Sequence, residues 1–116
     1  MSAPESPESL RYVRTVLDAY CRAPGTTGHL RPADRRLARD LYARGVAVET
    51  VLDALLLASA RRFAHATPAL QPPTVRSFAY FHDVIEELLR TPLDASYKRH
   101  LAQMLDRSLA AFTSSP

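Results

Sequence analysis

The chain has one cysteine (Cys21), one lysine (Lys98) and three glycines among its 116 residues. A lone thiol excludes an internal disulfide and any cysteine-based zinc site. No apolar run approaches the roughly 20 residues that span a bilayer. The opening segment, Met1-Ser2-Ala3-Pro4-Glu5-Ser6-Pro7, lacks the basic start and apolar stretch of a secretory signal. The expectation is a cytoplasmic protein in a reducing compartment, with no membrane contact. Scarce glycine beside abundant Leu, Ala and Arg favours helix over sheet.

Hydrophobic residues make up 47% of the chain, enough to build a core, and the length fits one domain. The formal charge is +3, and arginine carries almost all of the positive side. Guanidinium forks suit phosphate and carboxylate groups. A GC-rich coding sequence would give the same excess of Arg over Lys.

The periodicity predicts an all-α domain of about five helices, spanning residues 7–112 between tails at 1–6 and 113–116. The first helix opens at Pro7, with Ser6 as N-cap and Glu8 at the positive end of the dipole. Leu10, Val13, Leu17 and Tyr20 form its apolar stripe, while Arg11, Arg14, Asp18 and Arg22 fall off it. Ala23-Pro24-Gly25 stops it. A second helix runs from Pro32 to Arg44, with Leu37 and Leu41 inward, an Arg36–Asp40 pair across one turn, and Gly45 as the left-handed C-cap. A third, from Val48 to Ala64, is apolar on most sides and should be central. The stretch from Thr67 to Pro73 reads as a linker.

The fourth helix carries Arg76-Ser77-Phe78-Ala79-Tyr80-Phe81-His82-Asp83-Val84-Ile85-Glu86-Glu87-Leu88-Leu89, capped by Thr74 or Ser77. Phe78, Phe81, Ile85 and Leu88 define its core face. Leu52 and Leu55 of the third helix should be buried with Phe81 and Ile85. Thr91-Pro92-Leu93-Asp94 resembles a capping box opening a fifth helix, which turns Leu101, Leu105, Leu109 and Phe112 inward.

The basic surface is the strongest functional lead. Between Arg11 and Arg44 stand eight arginines against Asp18, Asp34 and Asp40, an excess of five. The acidic residues Asp83, Glu86 and Glu87 cluster far away in sequence. Segregated charge of this kind steers a polyanion, although a solvated helix surface gives the same pattern. Arg31, Arg35 and Arg39, one turn apart, form a row beside Arg36, and Arg61, Arg62 and Arg76 add further cations. Tyr80, with Arg76 four residues before it, is a candidate stacking platform for an unpaired base. His82 and Glu86 have the spacing of two metal ligands but lack a third. A neighbour such as Arg22 can lower a thiol pKa, but with no evident base Cys21 reads as a partly buried thiol. No glycine-rich phosphate loop and no serine elbow is present.

The order from Asp34 through Leu89 resembles the C-terminal helical domain of DnaD-type primosomal proteins and related replication-initiation modules of phages, plasmids and mobile elements. The shared layout is a helix (Leu37, Leu41), a turn (Gly45-Val46), a long helix (Val51 to Arg62), a loop, and a helix with a Tyr-x-x-x-Ile-x-x-x-Trp signature. That signature falls on Tyr80, Val84 and Leu88, of which only the tyrosine matches strictly, and the likeness covers about half the chain. It implies non-enzymatic DNA binding, single- or double-stranded, together with replication or recombination proteins and without a cofactor. Among the candidate residues, only Tyr80 is carried by the motif. The alternative is a helical adaptor that binds a protein through the edges of its last two helices, including Tyr97 and Phe112.

Overall fold

The computed structural model describes residues 6–113, and side chains as far as residue 111. Five helices follow in order: α1 (Pro7–Arg22), α2 (Pro32–Ala43), α3 (Val48–Phe63), α4 (His82–Arg90) and α5 (Ala95–Thr113). A 3-10 turn, Phe78–Phe81, runs directly into α4. Among the described residues there are no strands, only isolated bridges, Thr26 with Val75 and Thr67 with Leu70. The chain is an all-α single domain, as the periodicity predicts.

α3 is the hub. Val51, Ala54, Leu55, Leu57, Ala58, Ser59, Ala60 and Phe63 are buried around most of its circumference, and α1, α4 and α5 all pack on it. Leu52 and Leu56 are only half-buried, so the core expected of Leu52, Leu55, Phe81 and Ile85 forms with Leu52 at its margin. α2 lies against α1, and α5 is laid chiefly along α3.

Helix ends follow local chemistry. Ser6 Oγ accepts the Ser9 amide at 3.1 Å, satisfying one of the orphan donors that open α1. Gly45, at φ +77°, ends α2 in the left-handed region, and the Gly45 and Val46 amides reach back to Tyr42 and Leu41. The fifth helix starts later than the sequence suggests. Asp94, not Thr91, is its cap, accepting the Ser96 amide at 3.1 Å, and the Lys98 amide makes the first full-turn bond to the Asp94 carbonyl. Pro92 drives the residue before it away from helical backbone, which leaves Thr91 to close α4. Hydrogen bonds from the Ser96 hydroxyl and from following amides hold the Asp94 carboxyl below its ordinary range.

The opening of the fourth helical segment also differs from expectation. Ser77 is the cap, with its hydroxyl accepting the Ala79 amide at 3.1 Å, but the turn that follows is 3-10 and α geometry begins only at His82. In a 3-10 turn, residues i and i+3 eclipse. Phe78 and Phe81 therefore project together, and both rings are fully buried beside Tyr20.

Two further expectations change. The Arg36–Asp40 pair is not among the ion pairs of the described residues. An exposed pair one turn apart gains only about 0.2–0.5 kcal/mol, which side-chain entropy offsets. Leu10, placed on the apolar stripe of α1, is 53% exposed. It lies two turns before the buried Leu17 on the same face, but among the described residues no element covers that end of the helix. The tail expected over residues 1–6 begins its described part at Ser6, already a cap. The tail over 113–116 begins at Thr113, still helical, and its remainder lies outside the described residues. The inward placement expected of Phe112 likewise concerns a side chain outside the described part.

Candidate nucleic-acid interface

The eight candidate residues divide between two regions. Arg31, Arg35, Arg36 and Arg39 are all exposed along α2 and its N-cap. Arg61, Arg62, Arg76 and Tyr80 belong to the end of α3 and the segment after it, and two of those arginines are engaged with other parts of the chain. Arg61 makes a bidentate pair with Glu87 of α4, at 2.9 and 2.7 Å. Arg62 donates to the carbonyls of Pro24, at 3.2 Å, and Pro73. A phosphate would have to displace those partners. Arg61 and Arg62 are thus junction residues, each holding a partner within the chain. Arg76 remains exposed.

Arg62 has a clear structural task. By holding the Pro24 and Pro73 carbonyls it staples the loop after α1 to the loop before the 3-10 turn. The Thr27 amide donates to the Val75 carbonyl at 3.1 Å, and the Val75 amide to the Gly25 carbonyl at 2.8 Å, which completes the junction. Gly25 sits at φ +80°, and a Cβ there would come within 2.8 Å of Arg62 Nη1. Gly25→Ala is therefore expected to lower stability by about 1–2 kcal/mol, from left-handed strain alone. An unchanged urea midpoint would contradict it.

Tyr80 is 54% exposed, as a stacking platform requires. The Arg62 guanidinium lies 5.5 Å from its ring centroid, however, and the Phe81 ring meets it edge-on at 5.2 Å. One ring face already carries a cation.

Two of the three acids of the α4 cluster are engaged, and Asp83 alone is fully exposed. Glu86 accepts Arg44 at 2.7 Å, and Glu87 takes Arg61. Hydrogen bonding to these guanidiniums holds both carboxyls below the ordinary glutamate range. Lys98 of α5 likewise meets Asp53 of α3 at 2.8 Å. These cations join helices. By contrast, among the described residues no carboxylate lies within ion-pair distance of Arg11, Arg14, Arg31, Arg35 or Arg36.

The packing of α1 on α2 brings three of this second group, Arg11, Arg14 and Arg35, together with Arg39. A groove of about 590 Å³ runs between the two helices, bordered by Arg11 and Arg14 on one side and Arg35 and Arg39 on the other. Leu10, Val13, Leu17 and Leu30 form its floor, and among the described residues Asp18 is its only carboxylate. In the sequence Arg11 and Arg14 stand off the apolar stripe and belong to the eight-arginine excess, but neither is a candidate site residue there. Their spacing of three, matched by the spacing of four in Arg35 and Arg39, is the signal. The pairing of α1 with α2 that turns two rows into one site is not readable from periodicity.

α2 is held in place by a carboxylate. Asp34 is 1% exposed; its Oδ2 accepts the Arg31 amide at 2.8 Å and its Oδ1 the Phe78 amide at 3.0 Å. One side chain thus caps α2 and ties it to the 3-10 turn. The arginine row is displayed from a helix pinned at its N-terminus.

The remaining chemistry is sparse. Cys21 is half-buried, and burial, then the charges of Asp18 and Asp34, push its thiol pKa up; only Arg35 opposes this. Cys21 is thus the partly buried thiol that the sequence implies. His82 Nε2 lies 3.5 Å from Glu86 Oε1, and among the described residues no group of three His, Cys, Asp or Glu is arranged to hold a metal. No helix among them is long and apolar enough to cross a membrane. Comparison of the chain with protein-family models, curated proteins and solved structures found no match.

Proposed function

We propose that this is a non-enzymatic, cofactor-free DNA-binding protein of the cytoplasm that holds phosphates on the arginine face of α1 and α2. The observation that carries this reading is the groove itself. Arginines from two helices converge there with one carboxylate among the described residues between them, while Arg44, Arg61 and Lys98 are neutralised at helix junctions. Guanidinium groups without internal partners are the ones able to displace counterions from a phosphate backbone. Arg11, Arg14, Arg31, Arg35 and Arg36 take the phosphate role, and Arg76 extends it. Tyr80 offers what remains of its ring to an unpaired base. Assignment to replication or to a mobile element, with replication or recombination proteins as partners, rests on the resemblance of the Asp34–Leu89 region to DnaD-type modules.

Filter binding of single- and double-stranded DNA tests the reading. Arg31→Ala with Arg35→Ala is expected to weaken both, by roughly tenfold per lost charge-assisted contact. Arg61→Ala, whose partner is Glu87, is expected to leave affinity nearly unchanged. Equal losses from both variants would remove the α1–α2 face from the interface. Absence of DNA binding at low salt would leave the adaptor reading, for which Tyr97, 46% exposed on α5, is the available anchor.

A further inference from the structure

The phosphate reading uses the arginines of the α1–α2 groove and leaves its floor unexplained. That floor is aliphatic, with no aromatic ring among its lining residues. Stacking of unpaired bases relies on aromatic faces, which this floor does not offer. Leu10 is its open part. It continues the buried face of α1 toward the N-terminus and is still 53% exposed. Leu30, half-buried, faces the same groove from the segment before α2. An apolar strip between two cationic borders calls for a ligand with an apolar stripe between two anionic flanks.

We infer that the α1–α2 groove docks an amphipathic helix of a protein partner, with leucine-type residues on Leu10 and Leu30 and acidic residues opposite Arg11, Arg14 and Arg35. Charge complementarity selects this occupant. The bordering guanidiniums Arg11, Arg14 and Arg35 meet no carboxylate within ion-pair distance among the described residues, so a neutral or basic helix would leave them uncompensated beside the buried strip. A helix laid in a groove presents its own anchors at i, i+3, i+4 and i+7; the exposed Leu10 and half-buried Leu30 are the floor side chains open to them, Val13 and Leu17 being buried in the core. The apolar contacts supply affinity, while the arginine borders set orientation and speed association. Because Arg35 serves both ligands, the acidic helix and DNA compete for this face.

The test uses the whole chain and two synthetic peptides of identical composition. One places leucines at helical i, i+3, i+4, i+7 spacing with glutamates beside them; the other has the same residues in scrambled order. Fluorescence anisotropy is expected to show the ordered peptide binding about tenfold or more tighter. Leu10→Ser is expected to remove that advantage, consistent with exposing one leucine's worth of buried surface. Since Leu10 is already half exposed, circular dichroism of the variant should match the parent. Arg11→Ala with Arg14→Ala should weaken the ordered peptide and reduce its salt dependence. A short oligonucleotide should displace the ordered peptide, and its own affinity should be insensitive to Leu10→Ser.

Equal affinity for the two peptides would overturn the inference and leave a surface selective for charge alone. Oligonucleotide affinity that falls with Leu10→Ser would place bases on the floor and overturn it too. A dimer in sedimentation that Leu10→Ser dissociates would make a second copy the occupant. Peptide affinity that rises tenfold on removal of residues 1–5 would make that segment the occupant. The inference does not depend on DNA binding: loss of oligonucleotide affinity with the peptide result intact defeats only the proposed function.

Discussion

Replacing Phe81 by alanine is expected to lower the unfolding free energy by about 3–5 kcal/mol. Phe81 is fully buried at the point where the 3-10 turn hands over to α4. Its ring lies 6.0 Å from Tyr20 and 5.2 Å from Tyr80, both in edge-on geometry. Deletion removes those aromatic contacts and leaves a void beside Ile85 and the α3 core. Phe78, one 3-10 turn earlier, cannot fill it, because its own ring is tilted against Tyr20 at 5.5 Å. A urea melt of Phe81→Ala should show a strongly reduced midpoint with an unchanged slope. A midpoint near that of the parent would mean the aromatic face of this segment is not the core.

Asp34→Ala should cost a similar amount, about 3–5 kcal/mol, by a different route. It removes two hydrogen bonds to a charged acceptor, each worth roughly 1.5–3 kcal/mol, and orphans the amides of Arg31 and Phe78. Asp34→Asn is the informative companion. An amide keeps one acceptor oxygen but turns a donor toward the second amide, so about half the loss is expected. The two substitutions should also loosen the arginine row. Hydrogen exchange at the start of α2 is expected to rise in Asp34→Ala before the rest of the fold opens. An Asp34→Ala protein as stable as its parent would show that the α2 junction is held by apolar packing alone.

The helices were legible because their signals are local. Ser6 before Pro7, Gly45 after a leucine-spaced run, and the apolar circumference of α3 each announce themselves within a few residues. The core face of Phe78, Phe81, Ile85 and Leu88 could be read from spacing, and all four are buried. The 3-10 turn could not, and the carboxylate that takes the Phe78 amide stands 44 positions away. Asp34 looked like one acid in a basic helix; its burial depends on how α2 meets the 3-10 turn.

The same distinction separates the arginines. Spacing alone ranks Arg61 and Arg62 beside Arg31 and Arg35. Only the approach of α4 delivers Glu87 to Arg61, and only the closeness of two proline loops engages Arg62. Arg11 and Arg14 gain their place from the opposite event, the arrival of Arg35 and Arg39 across the groove. Composition therefore indicated a cationic protein, and tertiary packing selects which cations face outward together.

The salt dependence of DNA affinity tests the central claim most directly. Log affinity against log salt should fall steeply for the intact chain, with about −0.7 to −0.9 for each phosphate contact. Arg11→Ala with Arg14→Ala should make the slope shallower by about 1.4–1.8, two contacts' worth, at unchanged helicity, while Arg61→Ala leaves it alone. A slope unmoved by the first pair, or no binding of either DNA form at low salt, would contradict the account.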